Sequence, residues 1–71
     1  MKTVTVTGEY IQLNQLLKLE NAVSTGGEAK ALIEQGKVSV NGQVESAVRK
    51  KIRSGDVVKA PGLEITVLCR G

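Results

Sequence analysis

Histidine is absent from the 71-residue chain, and with it the usual general base and metal ligand near neutral pH. Cysteine occurs once, at Cys69, which rules out an internal disulfide and a thiolate zinc site and fits a reducing compartment. Phe and Trp are missing and Tyr10 is the sole aromatic, so a module that stacks bases on a row of aromatics is not expected. No apolar run approaches the roughly 20 residues that a membrane-spanning helix needs. The opening Met1-Lys2-Thr3-Val4-Thr5-Val6-Thr7 alternates and lacks the apolar block of a signal peptide. The expectation is a cytoplasmic protein with no membrane association, no metal and no cofactor.

Length sets the next bound. A domain of this size buries only about 60% of its unfolded surface, so residues 1–71 are expected to form one domain around a thin core. Little room is left for a small-molecule substrate. The carboxylates Glu9, Glu20, Glu28, Glu34, Glu45, Asp56 and Glu64 are scattered, and no nucleophile–base arrangement is visible. The chain therefore does not read as an enzyme.

Charge is unevenly placed. Residues 1–36 carry three cations against four carboxylates, whereas residues 37–71 carry seven against three. Within the second half, Arg49-Lys50-Lys51-Ile52-Arg53 puts four cations in five positions, with no acidic run to neutralise them. Such a patch points to a polyanion. Ile52 is expected to anchor the segment; in an extended chain Arg49, Lys51 and Arg53 share one side and Lys50 the other.

The hydrophobic pattern predicts strand, helix, helix, then several short strands. Val4 and Val6 point inward from a strand over 2–7, which Gly8 ends. Leu13, Leu16 and Leu17 recur at helical spacing over 10–20, leaving Gln12, Asn14, Gln15 and Lys18 outside. Val23 plugs the core from the connector. Thr25 and Glu28 form a T-x-x-E capping box, Ala29, Leu32 and Ile33 line the inner stripe, and Gly36 follows a helix over 26–35. Lys30 and Glu34 are spaced to pair on its outer face, and Lys37 follows its C-terminal end. Residues 37–40 read as a strand closed by Asn41-Gly42, a type I′ hairpin turn. Ser54-Gly55-Asp56 and Ala60-Pro61-Gly62 mark later turns. Leu63, Ile65 and Val67 face inward from a last strand. This is an α+β domain, two short helices packed on a small, mostly antiparallel sheet.

Gly26 and Gly27 open the second helix at a propensity cost of about 1 kcal/mol each in an interior position. Two readings are open: missing side chains admit a phosphate to the free N–H groups, or the backbone packs closely or bends there. Asn41 is first a turn residue, with a nucleic-acid contact as an added role. Tyr10 reads as a core or rim residue, and Cys69 as inert.

The stretch Thr25-Gly26-Gly27-Glu28-Ala29-Lys30-Ala31-Leu32-Ile33-Glu34-Gln35-Gly36-Lys37-Val38-Ser39-Val40-Asn41-Gly42 resembles the core of the S4 RNA-binding domain. Ala29, Ile33, Gly36, Val38, Val40, Asn41 and Gly42 stand at that family's positions, Gly55-Asp56 supplies its later turn, and Leu13-Asn14-Gln15-Leu16-Leu17 looks like its first helix. The likeness spans residues 10–59. Gln12-Leu13-Asn14 replaces the family's Arg-Leu-Asp, and Thr25-Gly26 its Ser-Arg, so two basic side chains are missing. Gly-Gly-Glu-Ala-Lys looks like the small stand-alone bacterial branch. The resemblance implies an S4-like fold (the αL motif) and a non-catalytic module for structured RNA such as ribosomal or transfer RNA. It implies a grip formed by the helix pair and the following hairpin. The candidate RNA-binding residues are Lys18, Gly26, Gly27, Lys30, Lys37, Asn41, Arg49, Lys50, Lys51 and Arg53, and the protein is expected to be a monomer.

Two rivals remain open. DNA could use the same basic patch, since phosphate contacts do not distinguish the two polymers. A protein-interaction or carrier module is the other, since a small α+β domain ending in Arg70-Gly71 is similar to ubiquitin-like carriers, although these end in Gly-Gly.

Overall fold

The computed structural model describes residues 2–70. Its elements run β1 (Lys2–Thr7), β2 (Ile11–Gln12), α1 (Leu13–Leu19), α2 (Gly26–Glu34), β3 (Ser39–Val40), β4 (Gln43–Val44), β5 (Lys51–Ile52), β6 (Val57–Ala60) and β7 (Leu63–Arg70). Five strands form one sheet in the order β1-β7-β6-β3-β4, and β2 pairs with β5 in a separate ribbon. All pairings are antiparallel except β1 with β7.

A single apolar cluster joins the layers. Leu13, Leu16 and Leu17 from α1 meet Ala29 and Ile33 from α2, and the sheet contributes Val4, Val40, Val58, Ile65 and Val67. Val38 and Ile52 complete it from outside and within short strands, both fully buried. The inward residues expected from the alternation and the leucine stripe are in this cluster or, for Val6, Val23, Leu32 and Leu63, packed half-buried against it.

The first helix starts later than expected. Residues 11 and 12 are extended and pair with Ile52 and Lys51, so helical structure begins only at Leu13. Leucine spacing could not reveal this, because a long-range partner claims the backbone of Ile11 and Gln12.

The second helix is closed at both ends by local chemistry. Thr25 Oγ1 accepts from the Glu28 N–H at 3.2 Å. The Glu28 carboxylate reaches back one residue further than a capping box requires and accepts from the Ser24 N–H, 3.2 Å away. At the other end Gly36 adopts φ +73°. Its N–H donates to the Ile33 carbonyl and that of Lys37 to Leu32, the paired bonds of a Schellman motif. The expected Lys30–Glu34 ion pair is not among those of the described residues, which are Lys2–Glu20, Lys50–Glu45 and Lys59–Glu64. An exposed pair gains too little to fix two long side chains.

Asn41-Gly42 makes the hairpin turn, with φ of 53° and 84°. Its position is locked from a distance. The Asn41 N–H donates to the Val57 carbonyl at 2.7 Å, and its side-chain oxygen accepts from the Val57 N–H at 2.9 Å. The amide nitrogen donates to Asp56 Oδ1 at 3.0 Å, while Asp56 Oδ2 accepts from the Arg53 N–H at 2.8 Å. The Asn-Gly and Gly-Asp turns, read separately from the sequence, are one hydrogen-bonded unit. β7 continues through Cys69 and Arg70, which pair with Val6 and Thr7 of β1. Gly71 lies outside the described residues.

Candidate nucleic-acid interface

The basic segment has its own scaffold. At the start of α1 the N–H groups of Leu13 and Asn14 donate to the carbonyls of Lys50 and Val48, at 2.8 and 3.1 Å. Helix starts leave such donors unpaired; here they hold the segment after the hairpin against α1. A turn from Ala47 to Lys50, the buried Ile52 and the β2–β5 pairing fix the remainder. The Glu45 carboxylate organises the approach by accepting from the N–H groups of Ser46 and Ala47.

This scaffold divides the candidate residues between two clefts. The first, about 630 Å³, is lined by Asn14, Gly26, Gly27, Lys30, Val48 and Arg49. A side chain at Gly26 would meet nothing within 4 Å, and one at Gly27 only Thr25 Oγ1 at 3.9 Å. The close-packing account of these glycines therefore fails. They leave the helix start open toward the two cations, and within α2 nothing accepts from their N–H groups. The side-chain oxygen of Asn14 is shut off from solvent without a hydrogen-bond partner.

The second cleft, about 280 Å³, is polar and lined by Asn41, Glu45, Lys50, Lys51, Arg53 and Asp56 together with Val40, Gln43 and Val44. Lys50 points toward Glu45, with Nζ 4.0 Å from the carboxylate. The cation run thus does not present Arg49, Lys51 and Arg53 together. The turn at Ala47–Lys50 sends Arg49 to the first cleft, and the extended residues beyond it line the second. Asn41 lines this cleft with its amide engaged by Asp56 and Val57.

Lys37 and Lys18 fall outside both clefts. Lys37 lines a mainly apolar groove with Gly36, Val38, Ser39, Val44, Lys59, Ala60 and Pro61. It leaves α2 beyond Gly36, whose left-handed backbone turns the chain away from the helix. Lys18 is exposed on α1.

Reading residues 10–12 as helix concealed Tyr10. Its ring is 40% exposed, with Lys51 Nζ 5.0 Å and Arg53 Cζ 5.8 Å from its centroid. The sequence does hold a signal for this, because Tyr10-Ile11-Gln12-Leu13 alternates polar and apolar residues as a strand does.

The S4 domain family matches residues 4–68. The Escherichia coli (strain K12) protein named "Putative RNA-binding protein YbcJ" is 39% identical over 59 residues, covering 83% of this chain and 84% of the relative. "Probable ribosome maturation protein RlbA" of Bacillus subtilis (strain 168) is 34% identical over 59 residues, or 83% of each chain. The solution structure of YbcJ, described as revealing an αL motif involved in RNA binding, superposes with a TM-score of 0.72 at 36% identity. That superposition covers 96% of this chain and 87% of the other. Matched by that family over most of its length and alike in sequence and fold to these relatives, this chain belongs to the S4 domain family.

Proposed function

We propose that this chain is a non-catalytic RNA-binding module whose grip is the surface made by the two cation-lined clefts. The carrying observation is that Arg49 lines one cleft and Lys50, Lys51 and Arg53 the other, while the backbone of this segment is tied to α1 and β2. Membership of the S4 family, and relatives named for RNA binding and ribosome maturation, support RNA as the polymer. The primary contacts are Lys30, Arg49, Lys51 and Arg53, with the N–H groups of Gly26 and Gly27 available to a phosphate. Lys50 adds to the field, and Lys18 and Lys37 act at the margin. Residues 1–71 act as one domain and a monomer in the cytoplasm, on structured RNA of the ribosomal or transfer type.

Four to six phosphate contacts give a slope of log affinity against log salt of about −3 to −5. The test is RNA binding by the triple charge reversal R49E/K51E/R53E, with folding checked by circular dichroism. Affinity should be lost at moderate salt. Wild-type affinity in the triple variant would remove this surface from the grip, and equal competition by duplex DNA would remove the preference for RNA.

A further inference from the structure

The β2–β5 ribbon has two faces of opposite character. Ile11 and Ile52 stand opposite each other and turn toward the core, the first half-buried and the second fully buried. Residues alternating with them share the outer face. Gln12 is opposite Lys51, and continuing that register by one residue sets Tyr10 opposite Arg53. The ring and both cations meet there, at 5.0 and 5.8 Å.

Packing does not explain this ring. The ribbon is already anchored by its two isoleucines, and Tyr10 remains 40% exposed. Neither Lys51 nor Arg53 takes part in the ion pairs found among the described residues. Both also line the polar cleft of about 280 Å³ beside the ribbon. An exposed ring, two cations outside the ion pairs of the described residues and an adjoining polar cleft are the parts of a site for one nucleotide. The exposed part of the ring offers a stacking surface to a base, and the Lys51 and Arg53 cations over the ring sit within reach of its phosphates. A base inside a duplex is stacked on both sides and cannot offer its face to the ring.

We propose that the outer face of the β2–β5 ribbon is a subsite for a single unpaired nucleotide, with its base on Tyr10 and its flanking phosphates on Lys51 and Arg53. This rests on the RNA reading and deepens it: the phosphate grip is indifferent to pairing, and Tyr10 adds selection for RNA carrying a bulged or looped-out base. The ring is a stacking platform of one residue, in place of the row of aromatics that the composition lacks.

The test compares a fully paired RNA duplex with the same duplex carrying one bulged nucleotide. Tyr10 is the only tyrosine, so 3-fluorotyrosine labelling gives a single ¹⁹F resonance that reports on this ring alone. The bulged RNA should move that resonance and the paired RNA should not. Base–aromatic stacking sets the expected loss in Y10A and Y10L at about 5- to 150-fold for the bulged RNA, with paired-RNA affinity within about twofold. Y10L retains bulk at the ribbon if Y10A misfolds, and Y10F keeps the ring and should keep the preference. An unmoved resonance with both RNAs bound, or equal losses on both in Y10L, overturns the subsite and leaves the phosphate grip standing. Failure of the wild type to bind either RNA overturns the RNA reading and the subsite with it.

Discussion

Replacing Asn41 by alanine should destabilise this protein far more than its exposed position suggests. Two consequences add. The side chain accepts from the Val57 N–H at 2.9 Å and donates to Asp56 at 3.0 Å; near the surface, such bonds contribute about 0.5–1 kcal/mol each. Asn41 also sits at φ 53°, where alanine costs roughly 1 kcal/mol or more and asparagine is better tolerated. The sum is about 2–3 kcal/mol. A domain of this size loses about 4–8 °C of melting temperature per kcal/mol, so N41A should melt roughly 10–20 °C below wild type. Thermal and urea unfolding followed by far-UV circular dichroism would measure it. N41G separates the causes, because glycine accepts the backbone angle and loses only the side-chain bonds. It should fall between wild type and N41A. A double-mutant cycle with D56A should then show coupling, since the two side chains share a bond. If N41G is as stable as wild type, the hairpin and the Gly-Asp turn are not locked by this amide. If N41A matches N41G, backbone strain at residue 41 contributes nothing.

Other outcomes test the helices and the first cleft. G26A and G27A should each raise stability, by up to about 1 kcal/mol, because a new methyl group meets no close neighbour. Both should weaken RNA binding if a phosphate approaches the helix start, and unchanged affinity alongside raised stability would remove the helix start from the grip. T25A deletes the oxygen that caps the Glu28 N–H and should cost about 1 kcal/mol in thermal unfolding; no loss would mean the cap is replaceable by water. I33A empties a fully buried site between the helices and the sheet and should cost about 2–5 kcal/mol. Against total stabilities of about 0.05–0.15 kcal/mol per residue, that removes a large share of the stability, visible as a lower urea midpoint; an unchanged midpoint would take Ile33 out of the core.

Much of the fold was legible from local pattern. The T-x-x-E start and Gly36 bracket α2 because the groups that satisfy its ends lie within a few residues of them. The alternation of Val4 and Val6, and of Leu63, Ile65 and Val67, marks inward faces because a half-buried strand leaves a period of two. Asn41-Gly42 defines a turn because few other pairs accept both backbone angles. The basic run at 49–53 identifies a partner of opposite charge because Coulombic attraction depends first on the charges present. The family motif then joins these pieces into an S4 domain.

Tertiary structure decided which of those charges act together. Ile11 and Gln12 are extended because β5, some forty residues away, takes their hydrogen bonds, and no helical periodicity encodes that competition. The same pairing brings Tyr10 to Lys51 and Arg53, while the turn at Ala47–Lys50 sends Arg49 to the open helix start. The Asn41 amide is held by Asp56 and Val57, and Lys37 is carried to a different groove. Sequence alone determined that this protein has two short helices, a small sheet and a concentrated positive charge, since each follows from neighbours along the chain. The division of that charge into a cleft at a helix start and a platform around one aromatic ring depended on contacts between distant segments, which only the folded chain makes.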